Sequence, residues 1–365
     1  MRQIIIGDVH GCYRELQELL NIVGTSTDDE IIALGDLVDR GPNSLEVLNY
    51  FSKQFNSKSI MGNHERKHIR SFHSLIEPAI SQCITRQQFS NEQYEKAILF
   101  MKSFPTFIEL PEVILVHGYF EPNIPLNQQQ EHIIIGTLKG DLYLKRKFQR
   151  PWYELYDENK PIIVGHHDYK GDGKPLIFKN QVFCIDTGCC RGRALTCITL
   201  PDFNIFSVKS HCNYWQIQKS KNLEIVITMR SEESLSWKDI ELLKEIAKKR
   251  LDLSQKAKEQ LSKLKPLINT ANNALNHLFN FVVQKNEQII DQLCIEASYE
   301  KLTPNEQGRI YAASIGNTPL ATLLHLARKN NLTLDILYKR FKKPINVIKF
   351  TERINLLTEK TLNDK

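Results

Sequence analysis

The chain has 365 residues, 41% of them hydrophobic and 25% charged, with a formal net charge of +6. That length exceeds what one hydrophobic core usually organises, so a catalytic-sized domain with an appendage is expected of an otherwise ordinary globular composition. No apolar run approaches the roughly 18 residues a membrane helix needs, and Ile4-Ile5-Ile6 already reads as a core strand, so neither a membrane span nor a cleaved signal peptide is expected.

Residues 1–65 alternate in a β-α-β rhythm that predicts strand 3–6, helix 13–23, strand 30–34, helix 44–51 and strand 57–61. Residues 66–104 read as a mixed polar helical insert that forms one wall of a cleft. Segments 113–116, 161–164 and 181–185 are further short apolar strands, and 195–200 and 204–208 form a hairpin about Pro201-Asp202. This order predicts an α/β fold of two packed mixed β-sheets with helices outside. The segment 119–160 carries no motif of its own and is expected to shape a groove.

From about Trp215 the texture becomes helical, with 223–229 as one last strand. The expected division is a catalytic domain over 1–215 and an all-helical, basic accessory domain over 216–365. Residues 216–365 carry a balance of +8 and residues 1–215 one of −2. From Ala257 the apolar positions Leu261, Leu264, Ile268, Ala271, Leu275, Leu278 and Val282 step by four and three, a heptad seam. Pro266 inside it predicts a kink or break. A bundle packing on itself explains the seam more economically than an oligomerising coiled coil. Gly316-Asn317-Thr318-Pro319-Leu320 looks like the start of an ankyrin repeat, but a stack needs about three. Helices over 319–329 and 333–341 with the basic end Lys339-Arg340-Phe341-Lys342-Lys343 imitate a helix-turn-helix. Ordinary helix packing explains both, so nucleic-acid binding is set aside. The eight cysteines show no zinc-type pairs and are too sparse for a disulfide scaffold, so reduced, mostly core-filling thiols are expected.

Chemistry concentrates in five short motifs. Gly7-Asp8-Val9-His10-Gly11, Gly35-Asp36-Leu37-Val38-Asp39-Arg40-Gly41, Gly62-Asn63-His64-Glu65, His117-Gly118 and Gly165-His166 each fall just after an expected strand, where side chains open onto the rim of a sheet. Asp8 and His10 are two apart and share a face. Asp36 has two oxygens to bridge two ions, Asn63 offers an amide oxygen, and His117 and His166 offer imidazoles. Oxygen and nitrogen donors without thiolate suit Mn, Fe, Zn or Mg. Two such divalent ions, Mn the first choice, are the expected cofactor. A cation pair of this kind relieves the charge repulsion that protects a phosphate ester from attack.

Together these motifs resemble the phosphoprotein phosphatase family of calcineurin-like metallophosphoesterases, in particular its bacterial and phage, lambda-type branch. Ile185-Asp186-Thr187-Gly188-Cys189 and Arg150-Pro151-Trp152 are similar to the same branch. The resemblance covers about residues 1–210 and none is found for 216–365. It implies that Asp8 and His10 hold the first metal, Asp36 bridges, and Asn63, His117 and His166 complete the second. It further implies in-line attack on phosphorus, with His64 protonating the leaving oxygen, Asp39 orienting His64, and Arg40 clamping phosphate oxygens. A second phosphate-binding arginine is expected at Arg150, ahead of Arg146 and Arg191. His167-Asp168 stands where relatives carry Thr-Pro, which leaves His167 as a neighbouring alternative to His166.

The implied activity is a metal-dependent protein serine/threonine phosphatase. The alternatives are a symmetrical dinucleoside tetraphosphate hydrolase and a tyrosine-directed phosphatase. The partners expected are a phosphoprotein substrate and a docking protein for the helical domain. The expected location is the cytoplasm, with export into a host cell as a bacterial effector, without an N-terminal signal, as the alternative.

Overall fold

The computed structural model describes residues 2–229, 235–237, 240–241, 253–297 and 299–363, with the backbone alone for 297 and 355–363. The chain divides into two compact units, Met1–Ile225 and Val226–Lys365.

Two five-stranded mixed sheets form the first unit. One runs in the order β10 (Ile205–Lys209), β9 (Ala194–Leu200), β1 (Gln3–Ile6), β2 (Glu30–Ala33), β3 (Ser57–Ser59). The other runs β4 (Phe107–Glu109), β5 (Ile114–Val116), β6 (Ile162–Val164), β8 (Val182–Cys184), β7 (Leu176–Phe178). β1, β2 and β3 run parallel in one sheet and β5, β6 and β8 in the other, and of these all but β3, an edge strand, are interior. Such strands are covered on both faces, which explains runs like Ile4-Ile5-Ile6. Ile5, Ile32 and Ile198 from one sheet share a buried core with Leu115, Ile163 and Phe183 from the other. Their neighbours Ile4, Ile6 and Ile31 face the opposite way, into a second core with Leu16 and Leu19 of helix α1 (Tyr13–Val23).

Short helices α2 (Ser44–Lys53), α3 (Asn63–Phe72), α4 (Ile80–Arg86) and α5 (Asn91–Lys102) follow, the last three making up the expected helical insert. The edge strands β4 and β7 were not expected. Each has three residues and pairs antiparallel on one side only, too little for an alternating pattern to emerge. All eight cysteines are unbridged, five of them buried.

The second unit is helical. Its long helix Gln255–Ala297 continues through Pro266, so the expected break is absent. Pro266 is exposed, and the helix holds because the seam beneath is packed: Leu264 is buried, and Ala271, Leu275, Leu278 and Val282 are buried in one core with residues of helices Ala321–Arg328 and Pro344–Asn363 of the same unit. Helices Pro304–Ile315 and Leu334–Arg340 also belong to it. The strand expected over 223–229 is instead a helix, Leu223–Thr228, in which the adjacent Val226 and Ile227 are both buried. Strand propensity of β-branched residues yields readily to such context. Among the described residues no helix is long and apolar enough to cross a membrane.

Candidate metal centre

Every expected donor emerges at the carboxyl end of a parallel strand. Asp8 and His10 follow β1, Asp36 follows β2, Asn63 and His64 open α3 beyond β3, His117 follows β5 and His166 follows β6. The turns are tight. His10, Asp36, Asp39, Arg40 and His166 all adopt left-handed backbone conformations, with φ between 47° and 75°. Such strain costs about 1–3 kcal/mol per residue and persists only where the surroundings impose it. In the loop from Asp36 buried Glu65 does so: its carboxylate accepts from the amides of Asp36 (2.8 Å), Leu37 (2.8 Å) and Val38 (3.3 Å), and from that of Gly62 (3.1 Å). Gly62 and Gly165 are required for space, since a Cβ would run into Asp36 Oδ1 at one and Asp8 Oδ1 at the other.

Two overlapping donor sets result. His10, Asp36 and His64 present ligand atoms within 4.8 Å of one another, and so do Asp36, His117 and His166. Asp36 belongs to both, the position a bridging carboxylate would need. Asn63 Oδ1 lies 2.9 Å from His166 Nδ1 and 3.1 Å from His117 Nε2. Asp8 stands outside these sets, its Oδ2 3.9 Å from His10 Nε2.

The donors fit a cation on three counts. Asp8 Oδ2 is buried and finds no hydrogen-bond partner among the described residues, an expensive condition unless something positive meets it. His10 Nδ1 and His117 Nδ1 lie 2.8 Å and 2.7 Å from the carbonyls of Val38 and Leu34. A carbonyl only accepts, so each Nδ1 carries a proton and each Nε2 is the ring nitrogen that faces the donor set. Finally, burial opposes charge on His117, yet Asp36, Asp8 and Glu65 push its pKa up to about 10, so this pocket demands positive charge. Burial and neighbouring Asp186 raise Asp8 well above the usual carboxylate range. Burial and the Arg40 charge hold His10 well below an ordinary histidine.

His64 Nδ1 is 2.5 Å from Asp39 Oδ2. Arg40 donates from its two terminal nitrogens to His10 Nε2 (2.7 Å) and His64 Nε2 (2.9 Å). Arg150 is not gathered into this cluster. It is exposed and paired with Glu154 at 3.0 Å, on the wall of an adjoining cavity. His167 turns its ring edge to Tyr169, 4.6 Å between centroids, and lines that cavity too, which leaves His166 as the imidazole at the centre. The cavity, of about 390 Å³, is walled by Tyr119, Phe148, Trp152, Tyr153 and Tyr169 with Lys145 and Arg150. It reaches the centre through Tyr119, whose hydroxyl is 3.2 Å from His166 Nε2.

Sequence reasoning missed Glu65, Asp186, His68 and Tyr119. Asp186 had a usable signal, an acid just after apolar strand β8, like Asp8 after β1. Glu65 closes the Gly62-Asn63-His64-Glu65 motif, but its role and that of His68 had no signal, because their partners come from a loop more than 25 residues away.

The family model for calcineurin-like phosphoesterases matches residues 1–206. The symmetrical bis(5'-nucleosyl)-tetraphosphatase of Shewanella sp. is 29% identical over 45% of this chain; the chain spans 62% of that enzyme's length. The asymmetrical bis(5'-nucleosyl)-tetraphosphatase PrpE of Halalkalibacterium halodurans is 31% identical over 56% of this chain and 93% of its own length. The crystal structure of a metallophosphoesterase from Sphaerobacter thermophilus is 20% identical, with a TM-score of 0.39 over 60% of this chain and 94% of that one. The names of the two enzymes match the dinucleoside alternative better than the protein serine/threonine phosphatase first expected. Two mixed sheets, donors at their strand ends and a family match over more than half its length place this chain among the calcineurin-like phosphoesterases.

Proposed function

We propose that this chain hydrolyses the phosphoanhydride chain of a dinucleoside polyphosphate. The observation that carries this reading is the aromatic and basic cavity joined to the candidate metal centre through Tyr119. Aromatic faces suit a stacked nucleobase, and Lys145 and Arg150 suit a polyphosphate chain, whereas a phosphopeptide needs no such pocket. The names of the relatives support the same substrate class.

In this reading Asp8, His10, Asp36, Asn63, His117 and His166 would hold two divalent ions, with Asp36 between them. When bound, the ions supply Lewis-acid neutralisation of phosphate charge and a strong nucleophile near neutral pH. The chain's own residues would do the rest. Arg40 would turn its planar fork from the two histidines to the phosphate oxygens. His64, oriented by Asp39, would deliver a proton to the departing oxygen. Tyr119 would fix the ring plane of His166.

The test is phosphate and nucleotide release by Mn-loaded protein from diadenosine tetraphosphate, phosphothreonine peptide and phosphotyrosine peptide side by side. The dinucleotide is expected to be preferred, ADP alone marking symmetrical cleavage and ATP with AMP asymmetrical cleavage. Tyr153→Ala is expected to raise KM for the dinucleotide about 10-fold, the worth of one stacking contact, with turnover of 4-nitrophenyl phosphate unchanged. Preference for a phosphopeptide would overturn the reading.

A further inference from the structure

Asp39 has two carboxylate oxygens, and the role described for it uses one. The other, Oδ1, lies 2.9 Å from Nε2 of His68. His68 is buried, and its remaining nitrogen, Nδ1, lies 2.9 Å from the hydroxyl of buried Tyr94 on α5. Ser81 on α4 donates to Oδ2 at 3.0 Å, beside His64. His64 and His68 are four residues apart on α3, so both rings leave the same helix face one turn apart. Both converge on a carboxylate that a left-handed turn presents from another loop.

An ionised carboxylate only accepts, so His68 carries a proton on Nε2, and its Nδ1 is hydrogen-bonded to the Tyr94 hydroxyl. Asp39 is held ionised: burial opposes its charge, but His68 and the hydrogen bond from His64 keep it well below the usual carboxylate range. A carboxylate gripped by one oxygen can rotate about its Cβ–Cγ bond and carry the bonded imidazole with it. Gripped by both, it is fixed. A misdirected proton donor costs far more in rate than the hydrogen bond that aims it is worth in stability.

We propose that His68 is a positioning residue for the leaving-group proton donor His64, acting through Asp39 and itself fixed by Tyr94. The inference rests on the reading of His64 as that donor. As the phosphorus–oxygen bond breaks, its electron pair passes to the departing oxygen. With Arg40 turned to the phosphate, His64 Nε2 is free to carry a proton; that proton moves to the departing oxygen and leaves a neutral imidazole whose Nδ1–H still points at Asp39. A poor leaving group needs this proton and a good one hardly does. The contribution of His68 therefore scales with the basicity of the leaving group.

The experiment uses the full-length, Mn-loaded protein and a series of phosphate monoesters from 4-nitrophenyl through phenyl to alkyl. It compares wild type, His64→Ala, His68→Phe and His68→Gln, with metal content measured for each. His68→Phe is expected to lower kcat on alkyl esters about 10- to 100-fold, with KM and bound metal unchanged and less than about 3-fold loss on 4-nitrophenyl phosphate. His68→Gln keeps a donor toward Asp39 and is expected to restore most of the difference. An independent readout is the far-downfield proton resonance of His64 Nδ1–H in histidine-labelled protein. It should shift in His68→Phe and return in His68→Gln, whether or not a monoester is turned over. A leaving-group dependence that steepens in His64→Ala but not in His68→Phe, with the resonance unmoved, overturns the inference alone. A dependence that stays flat in His64→Ala overturns the proton-donor reading on which it stands.

Discussion

Glu65 illustrates how much of the centre is carried by a side chain that would touch neither metal nor substrate. Four backbone amides of two loops end on its carboxylate, and all are buried. Removing the acceptor leaves those donors unsatisfied, so Glu65→Ala should destabilise the metal-free protein by about 3 kcal/mol or more. Urea unfolding measures this, and metal titration should show weaker binding, because the left-handed turns at Asp36 and Asp39 lose their restraint. Unchanged stability and affinity would show that the turns hold themselves. The donors were legible in the sequence and this support was not, for a physical reason. A donor reveals itself by residue type and by its place at a strand end, as Asp8, Asp36 and His117 do. Glu65 and His68 gain their roles only from what the chain folds against them, and those partners are not written in their neighbours.

At the scale of elements the same divide recurs. The parallel central strands were readable because burial on both faces forces unbroken apolar runs, and α1 because Leu16, Leu19, Leu20 and Val23 recur at helical spacing before Gly24 ends it at φ 64°. The edge strands β4 and β7 lack such forcing. Segment 223–229 was misread because Ile225, Val226 and Ile227 are good strand formers that here lie in a helix. Pro266 misled in the opposite sense, since a buried seam outweighed a local breaker. That argument has a measurable consequence. A proline in a helix interior costs about 3 kcal/mol, and this one is exposed, so its replacement loses no packing. Pro266→Ala should therefore stabilise the helical unit by about 1–3 kcal/mol in denaturant unfolding. A loss of stability would mean that the ring itself makes a contact the helix needs.

For the whole molecule the two units draw on separate stores of buried apolar surface. The buried residues of the first unit's two cores lie between Ile4 and Val208. Those of the helical unit's core lie between Ala271 and Ile354. All six proposed metal donors belong to the first unit. A ligand that binds only the folded form stabilises what it binds, by about 4 kcal/mol at a thousandfold excess over its Kd. For a unit of this size that amounts to roughly 10 °C in Tm. Calorimetry of the full chain should accordingly resolve two transitions. Chelation of the metal should lower one of them by about that amount and leave the other in place. The movable transition should be the one lowered by Glu65→Ala, and the fixed one should be the one raised by Pro266→Ala. If chelation moved both equally, the stability of the helical unit would depend on the loaded centre. The basic module would then be coupled in stability to the catalytic unit.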